Sequence, residues 1–174
     1  MREIVLQPIG AVDPALLAFL ALSAEEAFRR PARAMVEAMA PDFAYDAVRR
    51  QYHSTQLIER LEQHIIAGER KILGVTEADL FIPIFTFVFG EARLSGRVAV
   101  MSVARLRPEF YGRPEDRRLL YQRAEKEALH ELGHVHGLVH CPDFACVMHF
   151  ANGVEEVDVK SDRFCARCAR QLSR

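Results

Sequence analysis

No stretch of this sequence stays apolar long enough to cross a bilayer. The longest early run, Ala15 to Leu22, falls well short of the ~20 residues that a spanning helix needs. The short start Ile4-Val5-Leu6 meets Gln7 and Pro8 before it can build the core of a secretory leader, so the expected location is cytoplasmic. There is no surplus of charge of one sign. The 23 basic and 24 acidic residues leave a net charge of −1, which supplies no long-range field to draw nucleic acid or an anionic membrane. Internal repeats, low-complexity tracts and Gly/Ser-rich linkers are missing as well. Cysteine is scarce, and its four copies all fall at or beyond position 141. A reducing compartment disfavours structural disulfides, so this clustering reads better as metal ligation.

What is present is a chain of 174 residues, 50% of them hydrophobic. At that length a fold buries roughly 70% of the surface its unfolded chain exposes, which is enough for one domain with its own core. Arg2 to Pro8 suits a short strand. Asp13-Pro14 opens a helix to about Ala27, because aspartate caps and proline is tolerated in the first turn. Ala34 to Met39 fits a strand better than a helix. Ser54 or Thr55 caps a second helix that aligns Leu57, Ile58, Leu61, Ile65 and Ile66 on one face. Lys71 to Ser102 is rich in branched and aromatic residues broken by Gly and Pro, and predicts three strands: Ile72–Val75, Leu80–Phe89 and Val98–Val103. A long helix should start near Pro114-Glu115-Asp116 and run to about Leu138, burying Leu119, Leu120, Ala128, Leu129 and Leu132. The fold class expected is α+β, a mixed sheet with long helices and a small irregular C-terminal lobe.

The chemistry concentrates in His130-Glu131-Leu132-Gly133-His134-Val135-His136-Gly137-Leu138-Val139-His140. On a helix turning ~100° per residue, His130 and His134 lie about 40° apart and both imidazoles reach a single ion. Glu131 sits beside them, able to hold a water without occupying the metal. A continued helix would carry His140 about 240° round from His134. A chain reversal is therefore required, and Gly137 can make it by adopting positive φ. Three neutral nitrogen ligands leave one coordination position free for water, as catalytic zinc sites do. His136, about 200° from His134, should face away. His149 lies close in sequence and reads as structural, and His53 and His64 as ordinary.

The extended H-E-x-x-H-x-x-G-x-x-H pattern is that of the metzincins. A cysteine directly after the third histidine, the spacing Cys141-x4-Cys146-x-Met148 and the downstream Cys165-x2-Cys168 resemble the archaemetzincins. Arg49-Arg50-Gln51-Tyr52, Phe89-Gly90-Glu91-Ala92 and Ser102-Val103-Ala104-Arg105-Leu106 extend the likeness upstream with less diagnostic force. The loop from Met148 to Cys165 is slightly shorter than in the family pattern, which bears on loop length and not on ligand identity. The resemblance implies a metzincin-like zinc metallopeptidase with Glu131 as general base. It implies two zinc ions per chain, one catalytic and one structural, with Met148 beneath the catalytic one and Cys141, Cys146, Cys165 and Cys168 around the other. Residues 1–174 would form a single catalytic domain, with an N-terminal subdomain over residues 1–137 and a C-terminal subdomain over residues 138–174. It also suggests an edge strand that holds substrate above the active helix. Phe89, Gly90, Glu91 and Ala92 are the candidates, and a buried central strand is the alternative.

The cysteines agree on their own terms, since two pairs joined by a loop can build a tetrahedral thiolate site. A redox dithiol at Cys165 and Cys168, or disulfides, remains open. The expected partner is a peptide or protein substrate, with neither nucleic acid nor membrane, and a monomeric state. The competing class is a non-catalytic zinc-stabilised protein that binds a protein or nucleic-acid partner. Arg163, Arg167, Arg170 and Arg174 would serve a nucleic-acid role. They lack an aromatic platform and a broad basic patch, and read better as the solvated face of a helix capped by Ser161 or Asp162.

Overall fold

A computed structural model of the chain describes residues 3–64 and 70–173. It opens with β1 (Ile4–Ile9), α1 (Pro14–Phe28), β2 (Ala32–Ala34), β3 (Tyr45–Asp46), β4 (Gln51–His53) and α2 (Ser54–His64). There follow β5 (Lys71–Thr76), β6 (Leu80–Phe81), β7 (Gly90–Ala92), β8 (Val98–Ser102), α3 (Arg117–Val135), α4 (Val154–Val159) and α5 (Ala166–Leu172). Five strands make the main sheet in the order β2-β1-β5-β8-β7, parallel except for β7, which runs antiparallel along β8. A smaller sheet has the order β3-β4-β6.

Alternation along the strands decides which helix covers which face. Ile4, Leu6, Leu73, Val75, Ala99 and Met101 join Leu16, Leu17 and Leu20 of α1 and Leu120, Ala128, Leu129 and Leu132 of α3 in one cluster. Ile9, Val98 and Val100 point the other way, onto Leu57, Ile58 and Leu61 of α2. Leu138, Cys141, Val147, Met148, Val154 and Val157 belong to the first cluster, so the C-terminal segment packs onto the same core as α3. No described helix is long and apolar enough to cross a membrane.

The caps on α1 and α3 follow the sequence. The Asp13 carboxylate accepts from the Ala15 N–H, and that of Asp116 from the Leu119 N–H. Four expectations need correction. The strand expected over Ala34–Met39 is instead the short β2, followed by a single parallel bridge between Ile9 and Met39. Pro8 explains the stop: Leu6 O takes the Met35 N–H on that side of β1, and two residues on Pro8 has no N–H to return. The long strand Leu80–Phe89 is also broken. Only Leu80–Phe81 pairs with β4, after which the Phe85 N–H donates to Ile82 O in a turn beginning at Pro83. Residues 71–102 therefore hold four strands rather than three. At the start of α2, the Ser54 and Thr55 hydroxyls donate to the Glu91 carboxylate of β7, which ties that helix to the sheet. Ile65 and Ile66 lie outside the described residues.

Candidate active site

Helix α3 presents His130, Glu131 and His134 on the side facing β7 and the C-terminal segment. The helix ends at Val135, three residues before the expected Leu138, with backbone N–H groups of His136, Gly137 and Leu138 closing onto Leu132 O, Gly133 O and His134 O. Gly137 has φ +93°, and the chain doubles back. His140 thereby returns to the other two histidines: its ring centroid lies 5.3 Å from that of His130 and 4.8 Å from that of His134.

The ring orientations are set by the backbone. His130 Nδ1–H donates to Val147 O at 2.9 Å and His134 Nδ1–H to Leu138 O at 2.8 Å. With Nδ1 protonated, Nε2 carries the free lone pair, and the two Nε2 atoms stand 3.1 Å apart. One nitrogen from each of the three rings falls within 4.8 Å of the others. Zinc bound by tetrahedral nitrogens at about 2.0–2.1 Å would hold them ~3.3 Å apart, so the donor set and its spacing fit. Burial pushes all three imidazoles toward their neutral, ligand-competent form, with His130 well below its ordinary value. Carbonyl acceptors behind ligating histidines are the usual means of fixing tautomer and ring direction.

Glu131 is buried against the strand. A Cβ at Gly90 would sit 2.5 Å from Glu131 Oε1, so only glycine lets β7 approach the carboxylate. Desolvation raises the Glu131 pKa well above its ordinary value; Glu127 adds to the rise, Lys160 opposes it and Glu91 adds to it. Gly90→Ala should displace that carboxylate and cost about 1–3 kcal/mol of stability, the usual penalty for overpacking a close contact, read as a lowered thermal midpoint. An unchanged melting curve would refute the close fit.

β7 is an edge strand, not the buried central one that was the alternative. The Ser102 N–H donates to Phe89 O and the Arg93 N–H to Val98 O. Residues Phe89, Glu91 and Arg93 thus spend their peptide groups on β8, and by alternation those of Gly90 and Ala92 face outward. The strand and the three histidines line a common cavity of about 570 Å³.

Beneath the histidines, Gly133 allows the Met148 sulfur to close on α3: a Cβ there would collide with Met148 Sδ. Beside them, Cys141, Cys146, Cys165 and Cys168 bring their sulfurs within 4.8 Å of one another, with Cys141 and Cys165 at 3.8 Å. All four are free thiols. A disulfide needs about 2.05 Å, whereas four sulfurs at ~2.3 Å from a tetrahedral zinc stand ~3.8 Å apart, so this group too fits the metal. Hydrogen bonds, first from the Cys168 N–H, lower Cys165 to about 7.

Several side chains that matter here carried no readable signal. Arg167, which suggested a basic tail, donates to Cys141 Sγ at 3.2 Å and offsets thiolate charge. The helix bearing it begins at Ala166 behind Cys165, not after a Ser161 or Asp162 cap, since the Ser161 hydroxyl donates to Ala145 O instead. Arg174 lies outside the described residues. Lys160 and Glu127, both almost wholly buried, form a 2.7 Å ion pair in the cavity wall. Glu127 had one available clue, its place one turn before Glu131 on the same helix face; Lys160 had none. His136 faces away, donating to Leu132 O and stacking on Phe28 at 4.5 Å. His149 donates to Cys141 O at 2.8 Å, and His53 lies against Phe81. The His64 side chain is outside the described set.

The family described as Peptidase family M54 matches residues 24–174. An archaemetzincin of Methanocaldococcus jannaschii is 43% identical over 172 residues, covering 99% of this chain and 93% of its own. One of Pyrococcus furiosus is 42% identical over 181 residues, with coverage of 99% and 93%. Among solved structures, the archaemetzincin of Archaeoglobus fulgidus complexed with malonate matches with a TM-score of 0.84 at 37% identity, covering 97% of this chain and 99% of that one. A zinc-dependent peptidase of Methanocorpusculum labreanum matches with a TM-score of 0.87 at 29% identity, again over 97% and 99%.

Proposed function

This chain belongs to peptidase family M54 and is a zinc metallopeptidase, and from that premise we propose that His130, His134 and His140 hold the catalytic zinc while Glu131 is the general base. The observation that carries this reading is the convergence of three imidazoles, those of His130 and His134 fixed in tautomer by backbone carbonyls, on one wall of a cavity into which Glu131 also faces. Zinc, when bound, supplies a Lewis acid for the scissile carbonyl and lowers the pKa of water toward ~7.

The chain's own residues do the rest. The Val147 and Leu138 carbonyls keep Nδ1 of His130 and His134 protonated and their Nε2 atoms turned to the metal. The Glu131 carboxylate takes a proton from the attacking water and passes it to the leaving amide nitrogen. Its burial favours that uptake. A peptide substrate lies along β7 as an added strand, held by the outward peptide groups of Gly90 and Ala92. Met148 supports the histidines from below.

The same reading gives the chain a second, structural zinc at Cys141, Cys146, Cys165 and Cys168. It treats residues 1–174 as one catalytic domain divided at Gly137, monomeric, cytoplasmic and without a nucleic-acid partner. His134→Ala tests the assignment. Metal analysis should fall from two zinc ions per chain to one, and hydrolysis of a peptide library should disappear. A variant that keeps both ions would remove His134 from the ligand set.

A further inference from the structure

The walls of the cleft are far more apolar than the chemistry at its centre requires. On one side stand Phe85, Phe87 and Phe89, from the segment between β6 and β7. Its backbone is pinned from behind: Arg49 donates to Phe85 O at 3.0 Å and Gln51 to Thr86 O at 3.0 Å, while the Arg105 guanidinium lies 4.2 Å from the Phe87 ring centroid. At the rim are Leu94, Val139 and Phe150. Leu94 sits in the β7–β8 turn, where the next residue, Ser95, donates its N–H to His134 O. Phe150 places its ring 5.0 Å from that of His140. Phe89 is buried in the core and Phe87 half-buried against it, but four of these positions are open. Phe85 is 49% exposed, Leu94 56%, Val139 60% and Phe150 43%, a concentration of open apolar surface of the kind that marks a binding groove.

The charged groups in the same lining are already committed. Lys160 is the one lysine or arginine among the described lining residues, and Glu127 holds it at 2.7 Å. Glu91 accepts from Ser54 and Thr55, and Glu131 is reserved for proton transfer. No lining cation is left to receive an acidic side chain, and the one carboxylate without a cation or a proton-transfer role, Glu91, is already held by two hydroxyls, so a charged side chain buried here stays poorly paired, which is costly. The cavity, at about 570 Å³, is in the range that encloses a ligand larger than one side chain.

We propose that the cleft selects extended peptides with large apolar side chains, of leucine or phenylalanine size, flanking the scissile bond. The selectivity is built by the pinned Phe85–Phe89 wall and the Leu94, Val139 and Phe150 rim. This deepens the peptidase reading and rests on it. Because the wall is anchored before substrate arrives, binding loses little to ordering of the protein.

The test uses zinc-loaded Glu131→Gln protein, which binds without turning over, and blocked hexapeptides that differ only in their two central residues. A Leu-Phe centre should bind at least about tenfold more tightly than a Gly-Gly or Glu-Lys centre. Phe150→Ser, and separately Phe85→Ser, should reduce that ratio toward one. Equal affinities, or tighter binding of the charged peptide, would overturn the proposal. The two readings fail separately. Wild-type cleavage with no side-chain preference leaves the peptidase and removes the selectivity, whereas selective binding with no wild-type cleavage does the reverse. A dimer abolished by Phe150→Ser, with no peptide selectivity, would assign the patch to a second copy of the chain and likewise overturn it.

Discussion

Glu131→Gln is expected to keep its full zinc content and lose hydrolysis by about 10²- to 10⁴-fold, the range a positioned general base contributes. The amide matches the carboxylate in shape, so it fills the same slot against Gly90. It cannot accept the water proton. The substitution also replaces a buried acid with a neutral group, so the thermal midpoint should hold or rise. The sign is clear in metal-free protein. Burial raises the folded pKa of Glu131, so the folded state binds its proton more tightly than the unfolded chain. Its contribution to stability is fully present below the unfolded value of about 4.3 and lost as pH rises through the folded one. Gln removes that slope. Rate assays, metal analysis and melting curves at several pH values check all three consequences, and turnover within tenfold of wild type would displace Glu131 as the base.

Cys165→Ser should be the most damaging substitution for the fold. Three remaining thiolates hold zinc poorly, and structural zinc is worth about 10–16 kcal/mol of apparent binding energy in small zinc-dependent folds. That rivals or exceeds the roughly 5–15 kcal/mol stability of a whole domain. The sulfurs also anchor core: Cys141, Cys146 and Cys168 are buried among the residues that pack on α3. The expected outcome is protein that expresses as aggregate or melts far below wild type, with loss of one zinc ion. A variant with two ions and an unchanged melting curve would count against a structural role.

The site was far more legible in the sequence than the sheet around it. Histidine spacing is a helical quantity, so His130 and His134 declare their common face, and Gly137 announces the reversal that returns His140. The cysteines are readable because ligand spacing is local. Strand limits are not local. Pro8 ends the pairing of β2 through a donor missing on a strand more than twenty positions earlier, and the apolar run from Leu80 to Phe89 reads as strand until Pro83 turns it into a cleft wall. Ser54 and Thr55 looked like caps because their hydroxyls are the right kind, yet the partner they found, Glu91, is remote in sequence. Lys160 is the extreme case. Nothing near it in the chain foretells that a lysine will be buried in a pair with Glu127, because only the folded C-terminal segment brings them together.

One peptide bond joins His140 to Cys141, and their side chains go to different ion groups. The Cys141 N–H, moreover, is held by Met148 O, and its carbonyl by His149. There is no slack between the two groups. A shift of the sulfur cluster is therefore passed through a single peptide unit to the third imidazole, and a disturbance of that imidazole is passed back the same way.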